Sequence, residues 1–462
     1  MVSKSGFLQS CMRVASLQRQ SWLGSSVNFR ILSMAMVVGG LTALVLLAGM
    51  AKDMYLAQKF GRSGLIDAFL VAFLIPSFVI SVVVGSIQSA FVPTYIQTFE
   101  KQGVDAARQL LASVSLLSVG VLLGISMILW AIAPLILPVL GSGFPPDTLV
   151  LCENLFYRLL PMLLLTGMAK FWAVVINARE RFAVAAIAPI ANPLAVFVIL
   201  WLLAEDLGIV ALTDGVIIGA LIEFLILLLA MRQQGLCVLP RWRGMSPELR
   251  QVGQQYLPTI IGAGLMCSTS LVDTAMAAML DPGSVSALNY GRKVPAVILG
   301  IITVGLSTVI LPYFSKMIAQ NAWRDIRHTL KKFTKWIIML AIPLSVGLFY
   351  SSELIVQILF ERGEFSESDT QLVGQVQAFY VLQLPFYVLG IFFVRFISAM
   401  CANQYLMWGS LLNLIANVCL NYVLMWHFGV SGIALSTAIV YAISAIYLGL
   451  VLNKLLSKEN SL

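Results

Sequence analysis

The sequence predicts an all-α integral membrane protein of about twelve transmembrane helices, arranged as two six-helix lobes. Three observations predict it. The 462-residue chain is 60% hydrophobic and 11% charged, whereas a soluble domain carries about 25% charged residues. Apolar runs of about 20 residues, the length a helix needs to cross the hydrocarbon of a bilayer, recur from residue 31 onward. Strands of a membrane barrel would be shorter and would alternate in polarity, so a helical bundle is the remaining way to satisfy the backbone in lipid. Finally, the second half of the chain echoes the first.

The echo centres on the stretch from Gly49 to Pro93, which returns weakly from Ser284 to Phe314. Pro76 and Pro93 are separated by 17 positions, as are Pro295 and Pro312. AFVPTY (Ala90 to Tyr95) faces VILPYF (Val309 to Phe314) at an offset of 219. FYRLLPMLLLTG (Phe156 to Gly167) resembles FYVLQLPFYVLG (Phe379 to Gly390) at an offset of 223. IAPIAN (Ile187 to Asn192) resembles LLNLIAN (Leu411 to Asn417) at an offset of 225. Three matches in one order at nearly one offset indicate a duplication. Each half holds an even number of spans, so both enter from the same side as parallel repeats, and the cleft between them is the natural place for a site.

Taken in order, residues 1–30 carry Lys4, Arg13, Arg19 and Arg30 and no acid, and are expected to be a basic cytoplasmic or interfacial segment. The first lobe covers 31–231, with spans near 31–58, 65–97, 107–137, 149–177, 183–203 and 209–231. A basic cytoplasmic linker follows at 232–249. The second lobe covers 250–452, with spans near 250–279, 283–315, 328–350, 371–400, 404–426 and 430–452, before a cytoplasmic tail at 453–462. Pro76, Pro161, Pro295 and Pro385 lie inside spans, where a missing N–H bends a helix. Basic loops alternate with acidic ones, which places both termini in the cytoplasm. Lys52, Lys59 and Arg62 break that rule.

The net charge of +8 reads as cytoplasmic loop charge and calls for no nucleic acid. Six scattered cysteines and two distant histidines, His328 and His427, form no metal-ligand or nucleophile–base arrangement. No Gly-rich phosphate loop is present. These features exclude hydrolysis and group transfer by this chain, so no catalytic residue, metal or cofactor is expected.

Ionisable residues inside a bilayer are costly and point to function. They are Lys52, Asp67, Arg158, Lys170, Glu223, Asp273, Arg292, Lys293 and Arg395. Most have a plain structural reading as well. Asp67 stands where it can cap its own helix. Arg158 and Lys170 can snorkel to the interfaces. Glu223 can pair with a neighbouring cation. Asp273 is a partner for Arg292 or Lys52, or a proton or cation site. Lys293 points about 100° away from Arg292, so the two need not share a surface. Lys52 and Arg292, in the duplicated core of opposite halves, are the foremost functional candidates. Cations facing a shared aqueous cavity call for an anionic ligand, and phosphate suits an Arg fork.

These residues also carry a resemblance. The segment GMAKD, the run DAFLVAFLIP and the later AFVP look like the first two spans of the MurJ/MviN lipid II flippases, within the multidrug/oligosaccharidyl-lipid/polysaccharide exporter superfamily. The likeness recurs at NARERFAVAAIAP (Asn177 to Pro189), GSVSALNYGRKVP (Gly283 to Pro295) and ILFERGEF (Ile358 to Phe365). The resemblance implies a MATE/MurJ-like fold, a central cationic cavity and alternating access. It implies a polyprenyl-diphosphate-linked glycan as cargo, with Lys52 and Arg292 on the diphosphate. Asp53 and Asp67 match acids of the first two spans, and Asp53, Asp67, Glu223, Asp273, Lys170 and Arg395 are cavity or coupling candidates. Leu46, Ile80 and Ser81 stand where these flippases carry Arg, and Pro295 where they carry an acid. A thinner cationic cavity extends the expected cargo to lipid-linked exopolysaccharide or other surface-glycan units.

The expectation is therefore a bacterial inner-membrane flippase, not an enzyme, coupled to membrane potential, H+ or Na+. Its partners would be the lipid-linked glycan, membrane lipids and glycan-assembly proteins. The rivals are a small-molecule cation antiporter of the same superfamily, which needs an acidic cavity, and a non-transporting scaffold, which needs a blocked one.

Overall fold

The computed structural model describes residues 27–179, 181–236, 244–303, 317, 323–400 and 402–459. Most of the basic segment 1–30, the linker centre with Arg241 and Arg243, and the second half of the eighth span lie outside the described residues. The first half of the chain forms α1 (Val27–Phe60), α2 (Gly64–Gln102), α3 (Val104–Leu140), α4 (Pro146–Ala178), α5 (Phe182–Ile187), α6 (Ala191–Leu207) and α7 (Val210–Gln233). The second half forms α8 (Pro247–Ala277), α9 (Ser284–Gly291), α10 (Trp323–Phe360), α11 (Glu367–Val381), α12 (Leu384–Ala399), α13 (Asn403–Phe428) and α14 (Val430–Glu459). Eleven helical segments among the described residues are long and apolar enough to cross a membrane. The remaining expected span starts as α9 and runs on as helix to residue 303.

The expected proline bends divide by position. Pro76 and Pro161 sit inside continuous helices. Pro295 and Pro385 break theirs. Pro295 cannot donate to the Gly291 carbonyl, and the helix is interrupted at Arg292. Pro385 cannot donate to the Val381 carbonyl, and the predicted span 371–400 divides into α11 and α12. The Ser345 hydroxyl of α10 supplies the missing bond to Val381 O at 2.8 Å, the kind of replacement donor a broken helix needs in lipid.

Buried apolar residues gather in three clusters among the described residues. One joins both halves at a single face, bringing Leu56, Ile66 and Phe69 together with Val285, Tyr290, Phe360 and Phe365. The other two lie toward the opposite face. One holds α2, α3, α4 and α7 with the start of α8; the other holds α10, α12 and α14. The halves thus share a core at one face and keep separate cores at the other, which makes a wedge closed at one end.

The closed end is stitched by polar contacts from the turns after α1, α8 and α10. The Glu364 N–H donates to Gln58 O at 3.0 Å. Gly61 and Gly363 have φ near +56° and +60°, and a Cβ on either would collide with the facing carbonyl of Glu364 or Gln58. Arg62 Nε pairs with Asp369 Oδ1 at 2.7 Å and Lys59 Nζ with Glu205 at 3.3 Å. The cations that break the loop-charge rule are therefore neutralised by acids of this face, and Lys52 is not in a loop at all.

Asp67 does not cap its own helix, for which Ser63 is the N-cap residue. Its carboxylate crosses to the other half. It accepts the Gly283 N–H at 2.6 Å and the Ser286 N–H at 2.7 Å. Gly283 is the N-cap of α9 and has no side chain to satisfy those donors, so Asp67 supplies the cap from across the cleft, where the helix dipole also favours an anion.

Two outcomes follow. Gly363→Ala should lower the melting stability of the purified protein by about 1–3 kcal/mol, the range for a side chain forced into positive φ; Gly347→Ala, with open space around its Cβ, should not. Asp67→Asn should weaken the closed face by about 1.5–3 kcal/mol, the worth of hydrogen bonds to a charged group. In a chain freed of its own cysteines, a Val285→Cys thiol should then react with a water-soluble maleimide more than tenfold faster; an unchanged rate contradicts the assignment.

Candidate functional site

The wedge encloses two main cavities, one on each side of α1 and the eighth span. The first, about 770 Å³, belongs mainly to the first lobe and is lined by Lys52, Asp53, Lys170, Glu223 and Lys293 among others. The second, about 650 Å³, belongs mainly to the second lobe and is lined by Asp273, Arg292, Tyr380 and Asn417. Leu46 and Ala296 line both. A smaller hollow of about 260 Å³ lies toward the closed face and is lined by Lys52, Asp53, Arg292 and Lys293 together. The two foremost candidates, Lys52 and Arg292, therefore meet a common hollow.

The centre of this arrangement is the Asp53 carboxylate, which is 4% exposed. Lys52 Nζ lies 2.9 Å from one oxygen and Lys293 Nζ 2.7 Å from the other. The pair crosses the cleft: α1 supplies Lys52 and Asp53, and the eighth span supplies Lys293. A buried carboxylate left unpaired costs about 3–5 kcal/mol, so Asp53 needs its lysines. Both lysines keep an edge toward the cavity, at 22% and 27% side-chain exposure. The site is a pair of cations held in place by an internal anion that a ligand anion could replace.

Lys293 corrects the sequence reading. The 100° between it and Arg292 is real, but the cavity wraps both sides of the eighth span. Lys293 faces the first-lobe cavity, Arg292 faces the second-lobe cavity, and both reach the small hollow. Pro295, two residues on, marks the span as broken. Arg292 itself donates to Ser270 Oγ at 3.4 Å.

Asp273 makes no ion pair with Lys52 or Arg292 among the described residues. Asn417 and Asn421, one turn apart on α13, donate to one of its oxygens at 2.9 and 2.7 Å. The Thr437 hydroxyl of α14 reaches the other at 3.4 Å. Asn417 closes the repeated IAN motif, and its counterpart Asn192 lines the first-lobe cavity. The repeat thus marked two cavity positions that charge alone did not.

Lys170 and Glu223 line the first-lobe cavity together but form no ion pair within 4 Å among the described residues, so the pairing expected for Glu223 is not made. Arg158 pairs with Asp214 at 3.7 Å. Arg395 lines none of these cavities. Leu46, Ile80 and Ser81, where an Arg was expected from the resemblance, all line the first-lobe cavity. In that cavity Lys170 and Lys293 supply cations that those positions do not.

The family model described as lipid II flippase MurJ matches residues 56–461. A probable lipid II flippase MurJ of Rhizobium meliloti is 28% identical over 424 residues, covering 89% of this chain and 78% of its own. Among solved structures, a lipid II flippase MurJ in an inward closed conformation is similar, with a TM-score of 0.79 and 23% identity, over 90% of this chain and 87% of the other. An inward-facing multidrug resistance MATE transporter of the MOP superfamily has a TM-score of 0.72 at 11% identity, over 93% of this chain and 98% of its own. The match spans most of the chain, and its fold holds the paired lysines at the cleft: this membrane protein belongs to the lipid II flippase MurJ family.

Proposed function

We propose that the chain carries lipid II, or a close polyprenyl-diphosphate-linked glycan, across the bacterial inner membrane by alternating access, with both termini in the cytoplasm. The observation that carries this reading is the Asp53 carboxylate held between Lys52 and Lys293 across the cleft. A diphosphate is likewise an anion with acceptor oxygens, and carries two negative charges to the carboxylate's one, so it can take the place of Asp53 between the two lysines. Arg292 stands at the same hollow as a further phosphate ligand. The saccharide follows into the cavities, and the prenyl tail stays in lipid.

In the predicted orientation the closed face is the periplasmic one, so this state loads from the cytoplasm. Drawing Lys52 and Lys293 off Asp53 removes a tie between the lobes near the closed end. The remaining ties, from Asp67 to α9 and from Arg62 to Asp369, then give way for release outward. Moving one negative charge outward gains about 2.3 kcal/mol per 100 mV of membrane potential. Asp273 and Glu223 are the buried acids available for coupling to a proton or Na+.

The antiporter and scaffold readings fit less well. Across both cavities, Lys52, Lys170, Arg292 and Lys293 outnumber Asp53, Glu223 and Asp273, which suits an anion better than a cationic drug. Cavities of about 770 and 650 Å³ fall within the roughly 300–1,000 Å³ of small-molecule sites, which a blocked scaffold would lack.

The test is transport of a lipid-linked diphosphate glycan by the purified chain in liposomes. Lys293→Glu and Lys52→Glu should each reduce flipping at least a hundredfold, in line with placing an anion against an anion, while membrane insertion stays normal. Full transport by either variant at normal expression would remove that lysine from the site.

A further inference from the structure

A third cavity lies away from the cleft, on the flank of the second lobe between α10, α12 and α14. It has a volume of about 620 Å³, and among the described residues no Asp or Glu lines it. Its rim carries Arg327, Lys331 and Lys335, spaced four residues apart along one face of α10. Like charges at that spacing repel one another, and among the described residues none of the three is in an ion pair. Arg327 is fixed by donating Nη2–H to the Leu456 carbonyl of α14, while its Nε is buried without a partner. Lys331 and Lys335 are exposed. Below the cations the lining turns apolar, with Ile338, Met339 and Phe393. Gly449 of α14 keeps the floor open: a Cβ there would lie 3.6 Å from the Phe393 ring.

Depth along α10 sorts these residues. Phe360 ends the helix at the closed face. At 1.5 Å per residue, Met339 lies about 32 Å from it, Lys335 about 38 Å and Arg327 about 50 Å. Hydrocarbon is about 30 Å thick and the headgroups bring the bilayer to about 40–45 Å. The apolar floor therefore ends near where acyl chains end, Lys335 stands at the headgroup layer of the leaflet opposite the closed face, and Lys331 and Arg327 follow it outward on the water side. Snorkelling lysines alone would place charge there, but a concave, acid-free groove with an apolar floor has the two-part chemistry of an amphiphile.

We propose that this groove binds an anionic diacyl phospholipid, its phosphate between Arg327, Lys331 and Lys335 and one acyl chain along Met339, Phe393 and Gly449. Basic pockets between membrane helices recognise anionic headgroups in this way. The site is separate from the cleft and does not rest on the flipping reading.

The test uses the full chain, purified into nanodiscs of phosphatidylglycerol and phosphatidylcholine with matched acyl chains, then examined by native mass spectrometry. The expected result is a retained phosphatidylglycerol. Lys331→Gln with Lys335→Gln should lower its affinity about 30-fold, which converts to about 2 kcal/mol, or about 1 per cation. Gly449→Leu keeps every charge, fills the floor and should lower retention as well. Lys293→Gln, in the cleft, should leave retention unchanged. Three results would overturn the proposal: equal retention of phosphatidylcholine, undiminished retention in the two groove variants, or displacement by free glycerol phosphate at the concentration at which the whole lipid displaces.

Discussion

A carboxylate buried between two lysines from opposite lobes organises this molecule. Asp53 binds Lys52 within α1 and Lys293 across the cleft, with one oxygen for each. In low dielectric such a group is stable only while it is paired. The lobes are therefore tied at the cleft by an ion pair, and the proposed function has the substrate anion compete for its two lysines. On that proposal the contact is both a tie and a binding site, and the surrounding architecture keeps it near water, with both lysines partly exposed.

The closed face supports this arrangement through backbone geometry. Two glycines allow the Gln58 and Glu364 segments to touch main chain to main chain. Asp67 satisfies the first amides of α9 from the other lobe, and Arg62 pairs with Asp369. Toward the opposite face the apolar cores part into two. Closing the other way keeps the two separate cores intact and parts the polar stitches and the shared apolar core at the closed face. Alternating access needs that rearrangement.

Much of this was legible in the residues. The apolar runs located eleven segments now seen as helices, and the repeat pointed to the cleft. Part of the family likeness, the run ILFERGEF, lies at a turn that makes the closed face. What was not legible depended on contacts between distant segments. Asp67 reads as a local cap because its neighbours in sequence are a helix start, whereas the helix it caps begins more than 200 residues later. Lys293 was set aside by helical geometry that is correct for one wall of one cavity. Cavities lie on both sides of the eighth span, which only the fold reveals. The clasp of Asn417 and Asn421 on Asp273 is likewise a tertiary fact, since neither asparagine carries charge to draw attention.

The most direct measurement of the central claim is the affinity of a short-chain polyprenyl diphosphate for the wild-type chain and for Asp53→Asn, at pH 7 and in one detergent. If Asp53 is an internal stand-in for the substrate anion, its neutral variant leaves Lys52 and Lys293 without a counter-ion and binds the diphosphate more tightly than wild type. Weaker or unchanged binding would contradict the account, because Asp53 would then support the ligand site and not occupy it.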